Sequence, residues 1–175
     1  MTHTTHGDGT IPFGAITPDN ADAIANKAIA DSVEQTPYTN GALVNASDAL
    51  QKLSKIGTKN DAMAKRLAKM ILFVQDALAA FFIRRDTFNA AYAKKDEDGN
   101  IVVRTVGSGD SQAQVPVMEN DVEFQLRINR LLREPAQTKI EPPEPFTWDD
   151  LNIKFMKKPE PAMIAQLGPF AKLDE

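Results

Sequence analysis

The sequence predicts a mainly α-helical domain with one long central helix, a small β-hairpin element, and extended N- and C-terminal arms. Three observations predict it. Apolar residues between positions 63 and 92 recur at three and four residues, with Arg85 filling one slot, the longest such run in the chain. A β-branched segment, 101–106, follows an Asp-Gly turn signal. Seven of the eleven prolines fall within 135–175. A stretch so dense in proline forms neither a long helix nor a central strand. Each ring removes an N–H donor and restricts the residue before it.

Residues 1–16 form an N-terminal arm. It is rich in Thr, His, Gly and Asp, and Ile11, Phe13 and Ile16 are its only anchors. The helical core domain covers 17–134, with the β element near 101–117. Thr17 reads as an N-cap and Pro18 as the first helical residue, giving a helix over about 18–34. Ala21, Ile24, Ala28 and Val33 face inward. A loop over 36–41 precedes a second helix, 42–56. Leu43, Ala46, Leu50 and Leu53 mark its buried stripe, and Gly57 suits its end.

Thr58 with Asp61 resembles a capping box for the long helix over about 59–91. That helix would be about 50 Å long at 1.5 Å per residue. Its inward positions are Met63, Leu67, Met70, Val74, Leu78, Phe81, Phe88 and Tyr92. The centre, 70–83, is apolar nearly all round and carries a single charge, Asp76. Such a helix is expected to be buried on more than one side, with Leu78 and Phe81 in its core. The shorter helices cover part of it; the rest needs the arm or another subunit. Asp76 marks the solvent side or pairs with a cation of a partner, and the first reading is preferred.

The strand 101–106 pairs with either 91–95 or 113–117. Segment 122–133 fits two templates. Val122, Phe124, Leu126 and Ile128 alternate like a strand. Phe124, Ile128, Leu131 and Leu132 fit a helix, with Asn120 as N-cap and a Glu123/Arg127 pair. Helix is preferred, because Pro135 then ends it.

Segment 135–175 is a proline-rich docking arm. It also carries Phe146, Trp148, Leu151, Ile153, Phe155, Met156, Met163, Ile164, Leu167, Phe170 and Leu173. Disordered segments are poor in such residues. The arm is therefore expected to lie along another surface, its own domain's or a neighbour's. Thr147 caps a short helix with Asp149 and Asp150 in its first turn. The candidate partner-binding residues are Phe146, Trp148, Leu151, Phe155, Met163, Leu167 and Phe170 from the arm, with Leu78 and Phe81 from the long helix. Trp148, the only tryptophan, is the expected anchor.

Little in the sequence points to chemistry. There is no cysteine, and both histidines, His3 and His6, sit in the leader. The acidic run 96–98 with Gly99 lacks calcium-loop spacing and reads as a turn. The triplet 107–109 lacks the spacing of a nucleophile elbow. No catalytic residue, cofactor or metal is expected. Residues 57–95 carry a net charge of +5, and each remaining segment is acidic within an overall −4. The basic helix either draws the acidic arms onto itself or forms an ordinary solvated face, and the second reading is preferred. The overall acidity argues against nucleic acid as the main partner. No apolar stretch reaches the roughly 20 residues of a membrane span, and the first residues lack a signal-peptide core.

These readings point to a non-catalytic structural or assembly subunit of a multi-subunit particle, of the virus or bacteriophage virion type. It would dock on other subunits, the same or different, through its arms, in a virion or in the cytoplasm. The alternatives are a small helical adaptor or chaperone with one protein partner, and a DNA-associated accessory protein.

Overall fold

The computed structural model describes residues 16–29, 34–108 and 112–172. The leader with His3, His6, Ile11 and Phe13 lies outside the described residues, as do Val33 and Leu173. The chain is mainly α. In order it forms α1 (Ala21–Ala28), β1 (Glu34–Thr39), α2 (Asn40–Ile56), α3 (Asp61–Tyr92), β2 (Val103–Val106), β3 (Ala113–Pro116) and α4 (Asp121–Arg133). The arm supplies β4 (Pro135–Thr138), β5 (Phe146–Thr147), α5 (Trp148–Ile153), α6 (Pro161–Leu167), a 3-10 turn at Gly168–Phe170, and β6 (Ala171–Lys172).

Helix α3 is the axis. Its 32 residues span about 48 Å at 1.5 Å per residue. Asn60 caps it, accepting a hydrogen bond from the Met63 amide at 2.9 Å. The expected Thr58/Asp61 box is therefore corrected. Thr58 instead forms a bridge with Phe155 of the arm. The inward stripe Met63, Leu67, Met70, Val74, Leu78, Phe81, Phe88 and Tyr92 is buried, as its spacing predicts. Helix α2 packs along α3 through Leu43, Ala46, Leu50 and Leu53. It ends at Gly57, whose φ of 79° a residue without Cβ adopts freely.

Several boundaries differ from expectation. Helix α1 is only 8 residues, and Thr17 and Pro18 precede it. Segment 36–41 is not a loop. Its first part is β1, antiparallel to β4, with Pro37 inside an irregularity between Gln35 and Thr39. An edge strand tolerates that missing N–H. The pairing needs the arm, so no local signal marks it. Thr39 then caps α2. Asn40 is buried; it donates to the Leu131 carbonyl at 2.8 Å and its amide to Glu134 at 3.0 Å, closing the end of α4. Gly41 sits beside α4, where an added Cβ would lie 3.1 Å from the Leu132 carbonyl oxygen.

Segment 121–133 is helical. Asn120 accepts from the Glu123 amide, as an N-cap should. Both strand-partner readings are realised. Strand β2 pairs in register with β3, while Lys95 bridges Ile101 and Ala93 bridges Met118. The run at 96–98 is a turn in which the Asp96 carboxylate accepts from the amides of Asp98 and Asn100. Those bonds hold its pKa below the usual carboxylate range.

Candidate functional site

The arm is bound to its own domain at successive points. Strand β4 pairs with β1. The Asp76 carboxylate accepts from the Thr138 hydroxyl and from the Lys139 amide at 3.1 Å. Asp76 thus faces neither open solvent nor a partner's cation; it receives the start of the arm. Further on, the Lys59 amide donates to Lys154 and the Met156 amide to Gly57. Strand β6 returns to lie parallel to β5.

The polar centre of this attachment is Asp150. Thr147 and Asp150 form a complete capping box at the start of α5. Asp150 is 2% exposed. It accepts from Arg66 at 2.8 Å and from Lys154 at 2.5 Å. Arg66 reaches across from α3, also donating to the carbonyls of Glu144 and Pro145 and lying 5.5 Å from the Phe146 ring centre. Burial opposes the charge on Asp150. The hydrogen bonds from Lys154 and Thr147 and the charge of Arg66 outweigh it, holding the pKa at about 2. Arg66 therefore draws an acidic part of the arm onto α3, while its neighbours Lys65 and Lys69 stay exposed.

A second polar set ties α1 to α3 and α4. Arg84 pairs with Asp22 and Glu134, and Arg127 pairs with Asp22 at 2.8 Å. Glu123 accepts the Tyr92 hydroxyl at 2.8 Å. Asp22, Arg84, Arg127 and Glu134 line a polar cavity of about 200 Å³ and are paired with one another across it. A wider cleft of about 420 Å³ beside β1 and β4 holds Lys139 and Glu141 among neutral residues. Among the described residues, no group of three or more His, Cys, Asp or Glu side chains is placed to hold a metal. No helix among them is long and apolar enough to cross a membrane.

The structure divides the predicted partner-binding residues. Phe146, Leu151, Phe155, Leu167 and Phe170 are buried in the chain's own core with Leu78 and Phe81. Phe170 stacks near Phe73 and Tyr38, and Phe146 packs edge-on to Phe155 at 5.9 Å. Met163 is half-buried. In this conformation the buried seven offer a partner almost no surface. Trp148 differs: it is 47% exposed, with the Lys158 ammonium 5.5 Å from its ring.

Two of the apolar surfaces left exposed among the described residues bear on docking. The first is the outer side of α5 and the turn after it. Trp148, Ile153 and Met156 are exposed there, among Lys154, Lys157 and Lys158. Ile153 and Met156 do not stand out in the sequence from the arm's buried apolar residues. Only their places, two residues before and one after Phe155, separate them.

The second surface is the outer face of α3. Ala64, Ala68, Leu72, Gln75, Ala79 and Phe82 are exposed at spacings of three and four residues, and Ile83 lies beside them. At 3.6 residues per turn this stripe lies opposite the core stripe. Helix α3 is thus buried along one side by its own chain, and its far side stays apolar and open. Beside Phe82, a groove of about 190 Å³ runs along α2 past Val44, Ser47 and Gln51. The all-round apolar centre of 70–83 is the sequence signal for this second face. No family model, curated protein or solved structure gives a match to the chain.

Proposed function

We propose that the protein is a non-catalytic structural subunit of a multi-subunit particle, of the kind from which virus and bacteriophage virions are built. The observation that carries this reading is the surface of α5 and its following turn. Three large apolar side chains, Trp148, Ile153 and Met156, stand exposed within nine residues and are interspersed with lysines. Clustered exposed apolar residues with a polar rim suit a protein interface, and tryptophan is enriched where binding energy concentrates. The lysines favour a neighbour with an acidic rim. The firm attachment of the arm adds support, because it holds this surface on a fixed frame.

The adaptor reading rests on a different observation, the groove between α2 and α3, which suits one helical partner. Native mass spectrometry of the full chain, recovered with its partners from its natural host, separates the two. A many-copy ring, lattice or shell is the expected result. The Trp148→Ala/Met156→Asp double variant should leave that particle incomplete while keeping its own fold. A stable 1:1 heterodimer would support the adaptor and overturn the particle reading.

A further inference from the structure

We infer that the outer face of α3 is a self-association surface, on which a second copy of this chain packs its own α3 antiparallel across a two-fold axis. This deepens the proposed structural role and rests on it, but it uses a surface separate from the α5 patch. The face runs from Ala64 to Asp86 as an exposed stripe at positions 64, 68, 72, 75, 79, 82 and 86. Alternation of three and four residues keeps a stripe facing one partner helix along its length. Over 22 residues that is about 33 Å of helix.

The order of residues along the stripe selects the occupant. Its N-terminal end carries Lys65 and Lys69, and its C-terminal end carries Asp86, all exposed. A parallel pair would set lysine on lysine and Asp86 on Asp86. An antiparallel pair sets Lys65 of one copy against Asp86 of the other. Asp86 already accepts from Arg85 at 2.8 Å, yet it stays open enough to take a second donor. The helix dipoles also favour the antiparallel sense.

Side-chain size agrees. With the axis at Gln75, Leu72 of one copy meets Ala79 of the other, and Ala68 meets Phe82 and Ile83. Every large residue then faces a small one. Gln75 lies on the axis, where the two amides can bond each other. A single polar residue in an apolar seam fixes register in this way. The surface is self-complementary, as a two-fold interface must be. Two helices alone make a small interface, so the dimer should be weak, with a dissociation constant on the order of micromolar.

The chain has no cysteine, so introduced cysteines report without background. Leu72→Cys and Ala79→Cys chains, mixed and oxidised mildly, should cross-link to each other. Each alone should cross-link poorly, because positions 72 and 79 lie about 10 Å apart along a helix and a disulfide needs Cα atoms within about 7 Å. Efficient Leu72→Cys self-cross-linking would overturn the antiparallel arrangement. By light scattering on a sizing column, the wild-type chain should show a concentration-dependent dimer. Ala79→Arg, at an exposed site, should give a monomer with an unchanged circular dichroism spectrum. Lys65→Asp should weaken the dimer at least several-fold, and adding Asp86→Lys should restore it. A chain monomeric at hundreds of micromolar, or a dimer indifferent to Ala79→Arg, would overturn the inference. A many-copy native particle that forms unchanged with Ala79→Arg would overturn it too, and would leave the particle reading standing.

Discussion

Two segments leave the helical core, and they are held by opposite means. The β2–β3 hairpin has regular structure and little burial. Four consecutive pairs run from Val103↔Pro116 to Val106↔Ala113, yet all four β2 residues are exposed. The C-terminal arm has little regular structure and deep burial. Its strands β5 and β6 share two pairs and its helices have 6 and 7 residues. It nevertheless inserts Phe146, Leu151, Phe155, Leu167 and Phe170 into the core. Ladder hydrogen bonds largely replace bonds to water, so they shape the hairpin without anchoring it. Apolar burial at roughly 1.5–3 kcal/mol per large side chain anchors the arm despite its prolines.

The largest effects should follow from the arm's rings. Phe146→Ala or Phe170→Ala should cost about 3–5 kcal/mol of unfolding free energy, because each leaves a cavity in the packed core. Urea titration measures this. A loss under about 1 kcal/mol would mean that the arm rests on the domain without being part of it.

Asp150→Asn comes next, at about 3 kcal/mol, because it strips Arg66 of a charged partner at a buried site. The same carboxylate makes stability depend on pH. Its folded pKa of about 2 lies below the ordinary aspartate value of 3.8, so its contribution is fully present above pH 4. That contribution, about 2 kcal/mol, is lost as pH falls from about 4 to 2. Asp150→Asn should flatten this part of the pH–stability curve, and an unchanged curve would assign the acid sensitivity to other carboxylates.

Trp148→Ala should cost under about 1 kcal/mol, since the ring is half exposed and its contact with Lys158 is worth roughly 0.5–1 kcal/mol. Its fluorescence should be red-shifted in the isolated chain and blue-shifted in the particle. Identical, water-exposed emission in both states would remove Trp148 from any interface. The smallest effect belongs to the hairpin. Val103→Thr should stay within about 0.5 kcal/mol of wild type, as exposed substitutions do. A loss comparable to Phe146→Ala would erase the contrast between the two segments.

What the sequence shows of this fold follows the range of the interactions. Periodicity is local, so the buried stripes of α2 and α3 are legible, as are Asn120 and Thr147 as caps. Strand β1 is not legible, because Pro37 argues against it and its partner β4 lies a hundred residues away. Asp76 reads as an oddity until Thr138 and Lys139 arrive beside it. The arm's apolar residues are legible as a set that must dock. Their division into Phe155 inside and Trp148, Ile153 and Met156 outside depends on the path from Arg66 to Asp150, which no spacing rule contains. For α3, composition reveals two apolar faces, and only the packing of α2, α4 and β4 tells which one the chain itself covers.

The aromatic contact of Phe73 with Tyr38 and Phe170 has a consequence for biosynthesis. Phe73 lies in the middle of α3, and its two ring partners come from β1 just before α2 and from the end of the arm, 6.0 Å and 5.9 Å away. A chain growing from a ribosome at roughly 5–20 residues per second forms α2 and α3 well before residue 170 exists. Through that interval the pocket around Phe73 is open, and so are the sites later filled by Phe146 and Phe155. The core closes only after residue 170 has been made, and contacts so distant in sequence form slowly. Every nascent copy therefore passes through a stage in which the arm's sites on the core and the outer face of α3 are uncovered together.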